Sequence, residues 1–341
     1  MQASRRTDHL VAEEVALALR RCWQPVARMS DLTDGPQRAV LLGEPLAVFL
    51  TEAGKPVVLA DRCPHRGASL SLGQVRGEGV QCPYHGWEWE GGDGRCTRIP
   101  SLADQRQIPP EARVAAYPVR EQWGLVWSVL GEPLGEPPDA PWLDEGDWQL
   151  GHGEPFELPV SFGLMIENFR DVAHFAFVHE GTMGTMPELI EPLHPKRDGL
   201  VVSMHREMRT GWGADEVWGG MRDITYRLCA PNFVSVLMHT TEGYRCLLHA
   251  ARAIRSGESA HYWIEGMAPD CRGASLAEAI ASETRIYAED IAILSSLRPA
   301  ELSLDPRTEI STLSDSYTLA YRQAFREFVL QARSLPTASP R

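Results

Sequence analysis

The sequence predicts an α+β protein: an N-terminal all-β domain followed by a domain with an antiparallel sheet and C-terminal helices. Short β-like runs separated by glycine, proline and aspartate follow each other closely up to about residue 131, namely RAVLL, LAVFLT, PVVLADR and GLVWSVL. Longer β-like runs occupy the stretch between Val201 and Met267, and helical patterns come after it. The length of 341 residues suits about two domains.

Changes in composition set the predicted boundaries. An amphipathic helix over Thr7–Arg21 accounts for residues 1–21, and the all-β domain follows at 22–131. The segment at 132–149 is rich in proline, glycine and acidic residues, which is typical of a linker. The second domain is expected at 150–335, and residues 336–341 are expected to form a flexible tail.

Two long helices are predicted in the C-terminal part. Ser275 and Glu278 form an S-x-x-E capping box, which predicts a helix from Ser275 to Leu297. A last helix is expected from about Ser314 to Arg333. Four aromatic residues lie near one of its faces: Tyr317, Tyr321, Phe325 and Phe328.

Charge and composition limit the classes of partner. The chain carries 33 basic and 46 acidic residues, a net charge of −13. Nucleic acids and anionic membranes select clustered lysine and arginine, so neither is expected as a partner. No apolar run reaches the roughly 18 residues that span a bilayer. Glu13 and Glu14 interrupt the apolar stretch that an export signal needs after Arg5 and Arg6.

The cysteines and the loop motifs further limit the class of protein that the sequence can encode. The seven cysteines are scattered and odd in number, which does not suggest a disulfide framework. A cytoplasmic protein with reduced thiols is therefore expected. No G-x-G-x-x-G or Walker-type loop is present, so no site for NAD, flavin or ATP is expected on this chain.

The segment CPHRGASLSLGQVRGEGVQCPYHGW contains two pairs of metal-ligand residues. Cys63 and His65 form C-x-H, and after sixteen intervening residues Cys82 and His85 form C-x-x-H. Such a set can hold a tetrahedral zinc ion, or a [2Fe–2S] cluster with two cysteines on one iron and two histidines on the other. Each pair lies in a loop with glycine and proline, and the sequence between the loops is hairpin-like. Two such loops can hold a cluster from both sides, which favours the [2Fe–2S] interpretation.

A second group of metal-ligand residues lies in ENFRDVAHFAFVHEG. His174 and His179 are five residues apart, so on an ideal helix their side chains diverge by about 140°. Both can bind one ion only if the helix bends or ends between them, and Gly181 suits a helix end. Asp171 lies three residues before His174, within reach of its imidazole. Alone, the pattern is equally compatible with two core histidines among phenylalanines.

Asp290 is the expected third ligand of this second group. It falls within the apolar stripe of the helix that starts at Ser275, three or four residues from Ile286 and Tyr287. A carboxylate facing a core is costly unless it is paired or bound to metal. Two histidines and one aspartate form the set that leaves positions on iron(II) open for oxygen. Glu289 points about 100° away from Asp290 and is the less suitable ligand.

Together these motifs resemble the Rieske non-haem iron oxygenases over nearly the whole chain. The matching segments are CPHRGASLSLGQV, QCPYHGW, ENFRDVAHFAFVHEGT and YAEDIAIL. The sequence is similar to the shorter, α-only oxygenase components: methylxanthine N-demethylases, vanillate O-demethylase and dicamba O-demethylase. Tyr84 stands where high-potential Rieske proteins carry an extra cysteine. Ile291 and Leu297 stand where many relatives have lysine and glutamine, which leaves the ligand set intact.

The resemblance implies a Rieske [2Fe–2S] domain followed by a helix-grip, START-like catalytic domain. It implies four cluster ligands: Cys63, His65, Cys82 and His85. It implies three ligands for a mononuclear Fe(II): His174, His179 and Asp290. By the same resemblance, Asp171 would bridge His85 of one subunit to His174 of the next, and Asn168 would lie in the pocket near the iron. A homotrimer or two stacked trimers is implied, with electrons from NAD(P)H arriving through a separate reductase or ferredoxin.

The expected function is that of the oxygenase component of a monooxygenase. It would use O₂ and external electrons to hydroxylate a C–H bond of a small aromatic or heterocyclic substrate, and on an N- or O-methyl group this amounts to demethylation. Ring cis-dihydroxylation and electron transfer by a ferredoxin-like protein are the alternatives. Predicted pocket residues are Met165, His249, His261 and Trp263, with His239 as a further candidate. For each of the histidines and for Trp263, a structural role in the sheet is the leading alternative.

Overall fold

The computed structural model describes residues 10–169, 171–207 and 220–335, which fall into two units. The β unit comprises Arg20–Pro137 and Arg252–Arg255. The α+β unit comprises the other described residues, including 10–19, Pro138–Ala251 and those from Ser256 on. The predicted tail at 336–341 and the first residues of the predicted N-terminal helix lie outside the described residues.

The β unit is built from short antiparallel strands, as the closely spaced β-like runs predict. They are β1 (Gln24–Arg28), β2 (Gln37–Leu41), β3 (Glu44–Leu50), β4 (Pro56–Ala60), β5 (Gln74–Arg76), β6 (Gly79–Gln81), β7 (Glu88–Glu90), β8 (Cys96–Arg98), β9 (Val119–Gln122) and β10 (Leu125–Ser128). They form three sheets, in the orders β1-β10-β9, β2-β3-β4 and β5-β6-β7-β8. Single 3₁₀ turns occur at Met29–Leu32, Leu70–Leu72 and Gln105–Gln107.

Strand β3 explains how the β unit packs. Successive side chains of a strand point to opposite faces, and the apolar run of β3 accordingly contributes to two cores. Leu46 and Val48 enter one hydrophobic cluster, while Ala47 and Phe49 enter the other. The second cluster also contains Cys63, Cys82 and the fully buried Trp89, so the loops that carry the predicted cluster ligands rest on a packed core.

The α+β unit has one large antiparallel sheet. Its strands are β11 (Gln149–His152), β12 (Phe156–Leu158), β13 (Lys196–Asp198), β14 (Val201–Glu207), β15 (Met221–Cys229), β16 (Phe233–Thr240), β17 (Gly243–Arg255) and β18 (Glu258–Met267). The order is β11-β18-β17-β16-β15-β14-β13, and β12 also pairs with β18. The last four residues of β17 belong to the β unit, a feature that the predicted boundaries did not contain.

The helices of the α+β unit complete the predicted α+β fold, which is confirmed. They are α1 (Ala12–Leu19), α2 (Phe162–Asn168), α3 (Phe175–Val178), α4 (Glu180–Met183), α5 (Leu276–Leu294) and α6 (Ser316–Ser334), with 3₁₀ turns at Pro141–Asp144 and Leu313–Asp315. Helix α5 packs against β11 and β18, and α6 packs against β14 and α1. No helix in the described ranges combines the length and apolarity that crossing a membrane requires.

The two long helices begin and pack as their sequences predict. The Ser275 side chain accepts a hydrogen bond from the Glu278 N–H, and the Glu278 carboxylate accepts one from the Ser275 N–H, so the capping box is confirmed. Helix α5 ends at Leu294, three residues before the predicted end. On α6 the predicted aromatic face is confirmed, since all four of its aromatic side chains are buried: Tyr317, Tyr321, Phe325 and Phe328.

Candidate metal centres and active site

Two loops with the same local structure carry the four predicted cluster ligands in the β unit. Each loop reads C-P-x-x-G, and its glycine N–H donates a hydrogen bond to the carbonyl of its cysteine, from Gly67 to Cys63 at 2.8 Å and from Gly86 to Cys82 at 3.0 Å. Both glycines have positive φ, 79° and 71°, a conformation that glycine adopts without a steric cost. The same tight turn therefore recurs, with the histidine one position later in the second loop.

The loops bring the four side chains together. The His65 and His85 ring centroids are 4.6 Å apart, and His65 stacks on Trp87 at 4.4 Å. Cys63 and Cys82 are buried, and burial together with the Cys82 sulfur raises the pKa of the Cys63 thiol to about 11. The buried Nδ1 of His65 has no hydrogen-bond partner among the described residues. Two buried thiols and an imidazole nitrogen without a partner fit the donor set of a [2Fe–2S] cluster.

The chain bends between His174 and His179, as two ligands five residues apart require. His174 directly precedes α3, a single helical turn, and His179 directly follows it with φ −108° and ψ 16°. The prediction that Gly181 ends this helix is wrong. Gly181 lies inside α4, which ends at Met183 before Gly184 (φ 72°), whereas the helix between the two histidines, α3, already ends at Val178. The helical pattern of the sequence is thus realised as three short helices separated by turns.

The three predicted iron ligands form a compact triangle. His174 Nε2 and His179 Nε2 are 3.1 Å apart, and Asp290 Oδ1 lies 3.5 Å from the first and 3.2 Å from the second. Atoms bound to one ion at about 2.0–2.2 Å lie roughly 3 Å apart. Asp290 Oδ1 is buried and makes no hydrogen bond with any described residue. The donor set and its spacing therefore fit a divalent metal ion.

Each of the two histidines also faces a carboxylate with its other ring nitrogen. His179 Nδ1 lies 2.8 Å from Glu289 Oε2, which also accepts a hydrogen bond from the Thr182 hydroxyl at 2.7 Å. His174 Nδ1 lies 3.7 Å from Asp171 Oδ2, too far for a direct hydrogen bond. Carboxylates in such positions fix the orientation of metal-bound imidazoles. Sequence reasoning found Asp171 but missed this contact of Glu289, which only the fold of α4 against α5 creates.

The acidic surroundings affect two pKa values at this site. Burial lowers the pKa of His179, but the Asp290 and Glu289 carboxylates outweigh burial and raise it above its ordinary value. Burial raises the pKa of Asp171, but its interaction with His174 outweighs burial and holds the pKa below the ordinary range. Asp171 therefore stays a carboxylate at neutral pH, as its expected bridging role requires.

The triangle lies at the wall of a cavity of about 850 Å³, including the solvent at its mouth. Four methionines, Met183, Met186, Met221 and Met238, contribute to a mostly apolar lining. Asn168, at the end of α2, also lines this cavity. A concave, largely apolar site with a few converging polar groups is typical of small-molecule binding.

The predicted pocket residues lie elsewhere. None of the four, Met165, His249, His261 and Trp263, is among the described residues that line this cavity. All four are buried in the core of the α+β unit. His239, the further candidate, pairs with Asp223 at 2.8 Å and stacks on Tyr244. Alternation along a strand could not say which of these side chains would face the cavity.

A buried chain of hydrogen bonds occupies His249 and His261. The Ser259 hydroxyl donates to the Val160 carbonyl at 2.8 Å, so its oxygen accepts from His261 Nε2 at 2.7 Å. The other ring nitrogen of His261, Nδ1, shares a hydrogen bond with His249 Nε2 at 3.0 Å, and His249 Nδ1 shares one with the Tyr287 hydroxyl at 3.0 Å.

Two family descriptions match the two parts of the chain. Residues 22–118 match the Rieske [2Fe-2S] domain. Residues 158–331, about half of the chain, match the vanillate O-demethylase oxygenase C-terminal domain. The second match covers α2 to α5 and most of α6, and it includes all three residues of the triangle.

Individual relatives support the same relationship. Chlorophyllide a oxygenase of Chlamydomonas reinhardtii is 41% identical over 175 residues, covering 50% of this chain and 26% of that protein. Methylxanthine N1-demethylase NdmA of Pseudomonas putida is 27% identical over 319 residues, covering 91% and 89%. The structure of Pseudomonas putida CBB5 NdmA with caffeine matches with a TM-score of 0.81 at 25% identity, covering 96% and 99%. Dicamba monooxygenase with 3,6-dichlorosalicylic acid matches with a TM-score of 0.75 at 18% identity, covering 93% and 99%, which shows the fold alone.

The chain belongs to the Rieske non-haem iron oxygenases. It spans between about a quarter and a half of the length of the first curated relatives it matches. A simple ferredoxin would explain neither the match to an oxygenase C-terminal domain nor the triangle of His174, His179 and Asp290.

Proposed function

We propose that this chain is the oxygenase component of a Rieske monooxygenase. It would use O₂ and two electrons from a separate reductase to hydroxylate a C–H bond of a small aromatic or heterocyclic molecule. The observation that carries the proposal is the triangle of His174, His179 and Asp290 at the wall of an apolar cavity. On an N- or O-methyl group, the hydroxylated carbon would leave as formaldehyde, and the product would be the demethylated compound.

The ligands would divide between two cofactors. The Cys63 and Cys82 thiolates and the His65 and His85 imidazoles would hold the [2Fe–2S] cluster. His174, His179 and Asp290 would hold a mononuclear Fe(II). When bound, the cluster supplies electrons one at a time and the mononuclear iron activates O₂.

Other residues of the α+β unit would prepare the site for this chemistry. Glu289 contacts His179 Nδ1 and Asp171 faces His174 Nδ1, and with a metal bound they would help to keep each Nε2 directed at the metal position. The apolar lining would exclude bulk water and position the substrate by shape. Asn168, on the same wall, would donate or accept a hydrogen bond beside the reacting centre.

The assembly proposed is a homotrimer, alone or stacked in pairs. Asp171 would bridge His85 of one subunit to His174 of the next, so that each cluster serves the iron of a neighbour. The Asp171 side chain is 40% exposed, which leaves it accessible to a second chain. The electron donor would draw on NAD(P)H. The free cysteines of the described residues fit a reducing compartment, and we extend the proposal to a cytoplasmic location.

A turnover screen tests the proposal. The purified protein, a surrogate reductase, NADH and O₂ are incubated with a panel of methylated aromatic and heterocyclic compounds, and products are identified by mass spectrometry. Gain of one oxygen atom, or loss of a methyl group with release of formaldehyde, is the expected outcome. Gain of two oxygen and two hydrogen atoms would instead identify ring cis-dihydroxylation. Cluster reduction without substrate oxidation over a broad panel would contradict the proposal.

A further inference from the structure

The cavity contains one buried carboxyl group that the proposed mechanism does not use. Glu283 lies on α5, lines the cavity and is 4% exposed. Its Oε2 atom is fully buried and has no hydrogen-bond partner among the described residues. A buried polar group without a partner is costly, and such groups in natural proteins call for an explanation. The burial of Glu283 must therefore be explained either by a structural role or by binding of a ligand.

The neighbouring charged residues do not explain the burial of Glu283 by a structural role. Arg245, the nearby cation, donates to Glu265 at 3.3 Å. Burial raises the pKa of Glu283 well above its ordinary value, the Glu265 and Asp290 carboxylates raise it further, and Arg245 only partly opposes them. Burial of Oε2 without a partner in the described part of the chain favours the neutral form of the carboxyl group, which can donate one hydrogen bond and accept another.

The position of Glu283 on α5 relates it to the iron ligands. Glu283 and Asp290 are seven residues apart, which is nearly two full helical turns, so both lie on the same face about 10 Å apart along the axis. Ile286 lies between them and also lines the cavity. A molecule held by its polar edge at Glu283 would extend along α5 past Ile286 and bring its far side to the triangle.

We propose that Glu283 binds the polar edge of a neutral substrate that carries an N–H and a carbonyl group side by side, as in a lactam, amide or imide. The carboxyl O–H would donate to the substrate carbonyl, and the other carboxyl oxygen would accept from the substrate N–H. The proposal rests on the proposed oxygenase function, of which it names the substrate class. It also predicts that aryl carboxylates bind less tightly, because a carboxylate group has no N–H to donate to the accepting oxygen of Glu283.

Binding measurements without turnover test this substrate class. Dissociation constants are measured by calorimetry on the metal-loaded protein for three ring compounds of similar size: 5-methyl-2-pyridone, 3-methylbenzoate and m-xylene. The pyridone, a neutral lactam, is expected to bind at least about tenfold more tightly than either of the others. Arg206 also lines the cavity, so equal or tighter binding of 3-methylbenzoate would assign recognition to this cation and overturn the proposal. Absence of pyridone binding would overturn it as well.

Two variants separate recognition from a structural role. Glu283→Leu should weaken pyridone binding roughly ten- to a hundredfold, while Glu283→Gln keeps a donor and an acceptor and should stay within a few-fold of the wild type. Removing a buried carboxyl without a partner should leave the Tm of Glu283→Leu unchanged or higher. A lower Tm together with unchanged pyridone binding would make Glu283 a structural residue. Because no turnover is measured, failure of this proposal and failure of the oxygenase proposal give different results.

Discussion

Among single residues, the two histidines of the triangle differ in the contacts that hold their imidazole rings. His179 is held on its Nδ1 side by a short contact to Glu289, which Thr182 fixes in turn. His174 faces Asp171 at a longer distance, and that carboxylate is partly exposed. The difference agrees with the proposed trimer, in which His179 would be fixed within its own subunit and the Asp171 carboxylate beside His174 would contact a neighbouring chain.

Replacing Asp290 should separate the two metal centres. Asp290→Ala removes one of three ligands from the triangle, whereas the cluster ligands lie in the other unit. We therefore expect the iron content to fall from about three to about two atoms per chain, with loss of turnover and an unchanged cluster spectrum. Iron analysis and visible absorption of the purified variant measure both quantities. Retention of the third iron would require a different carboxylate ligand in its place.

Glu289 should matter for metal affinity, although it is not placed to bind the metal. Glu289→Ala leaves the triangle intact but removes the partner of His179 Nδ1. We expect the affinity for iron(II) to fall roughly 10–100-fold, measured by titrating iron(II) into metal-depleted protein. Glu180→Gln, an exposed change on the adjacent α4, is the matched control and should bind like the wild type. Equal iron(II) affinities of the two variants would show that Glu289 does not support metal binding.

At the scale of elements, the C-P-x-x-G loops depend on their glycines. In Gly86→Ala the new Cβ would meet Pro100 Cγ at 3.1 Å, and the positive φ would be strained. We expect a marked loss of cluster per chain, measured by visible absorption. Gly77→Ala is the control, because Gly77 also has positive φ but open space around its Cβ. If both variants kept the same cluster content, the geometry of the second loop would not be what holds the cluster.

The elements also show what the sequence could and could not predict. The capping box of Ser275 and the aromatic face of α6 are local patterns, and both are confirmed in the structure. Asp290 was predictable as a metal ligand, because a charged carboxylate within an apolar helix stripe is costly unless it is paired or bound to metal. The sequence did not predict the Glu289 contact or the cavity lining, because they depend on the packing of α4 against α5 and on which side chains of β14 to β17 face the cavity. No pattern along a single element carries that information.

At the scale of the whole molecule, the proposed trimer predicts that two inactive variants can restore each other. His85→Ala should lack a functional cluster, and Asp290→Ala should lack the mononuclear iron. Neither should turn over substrate alone. In co-expressed mixed trimers, a cluster on one chain can serve the iron of its neighbour, so part of the wild-type activity should return. Native mass spectrometry verifies the mixing, and verified mixed trimers without activity would show that electrons do not cross between chains.

The distribution of ligands along the chain has a consequence for biosynthesis. The four cluster ligands lie within one stretch from Cys63 to His85, whereas the triangle joins His174 and His179 to the distant Asp290. Domains emerge from the ribosome and fold from the N-terminus onward. The β unit can present its complete sulfur and nitrogen donors while translation is still under way. On the proposed assignment, the iron position gains its carboxylate only after α5 has left the exit tunnel, so we expect the mononuclear iron to be loaded late in maturation.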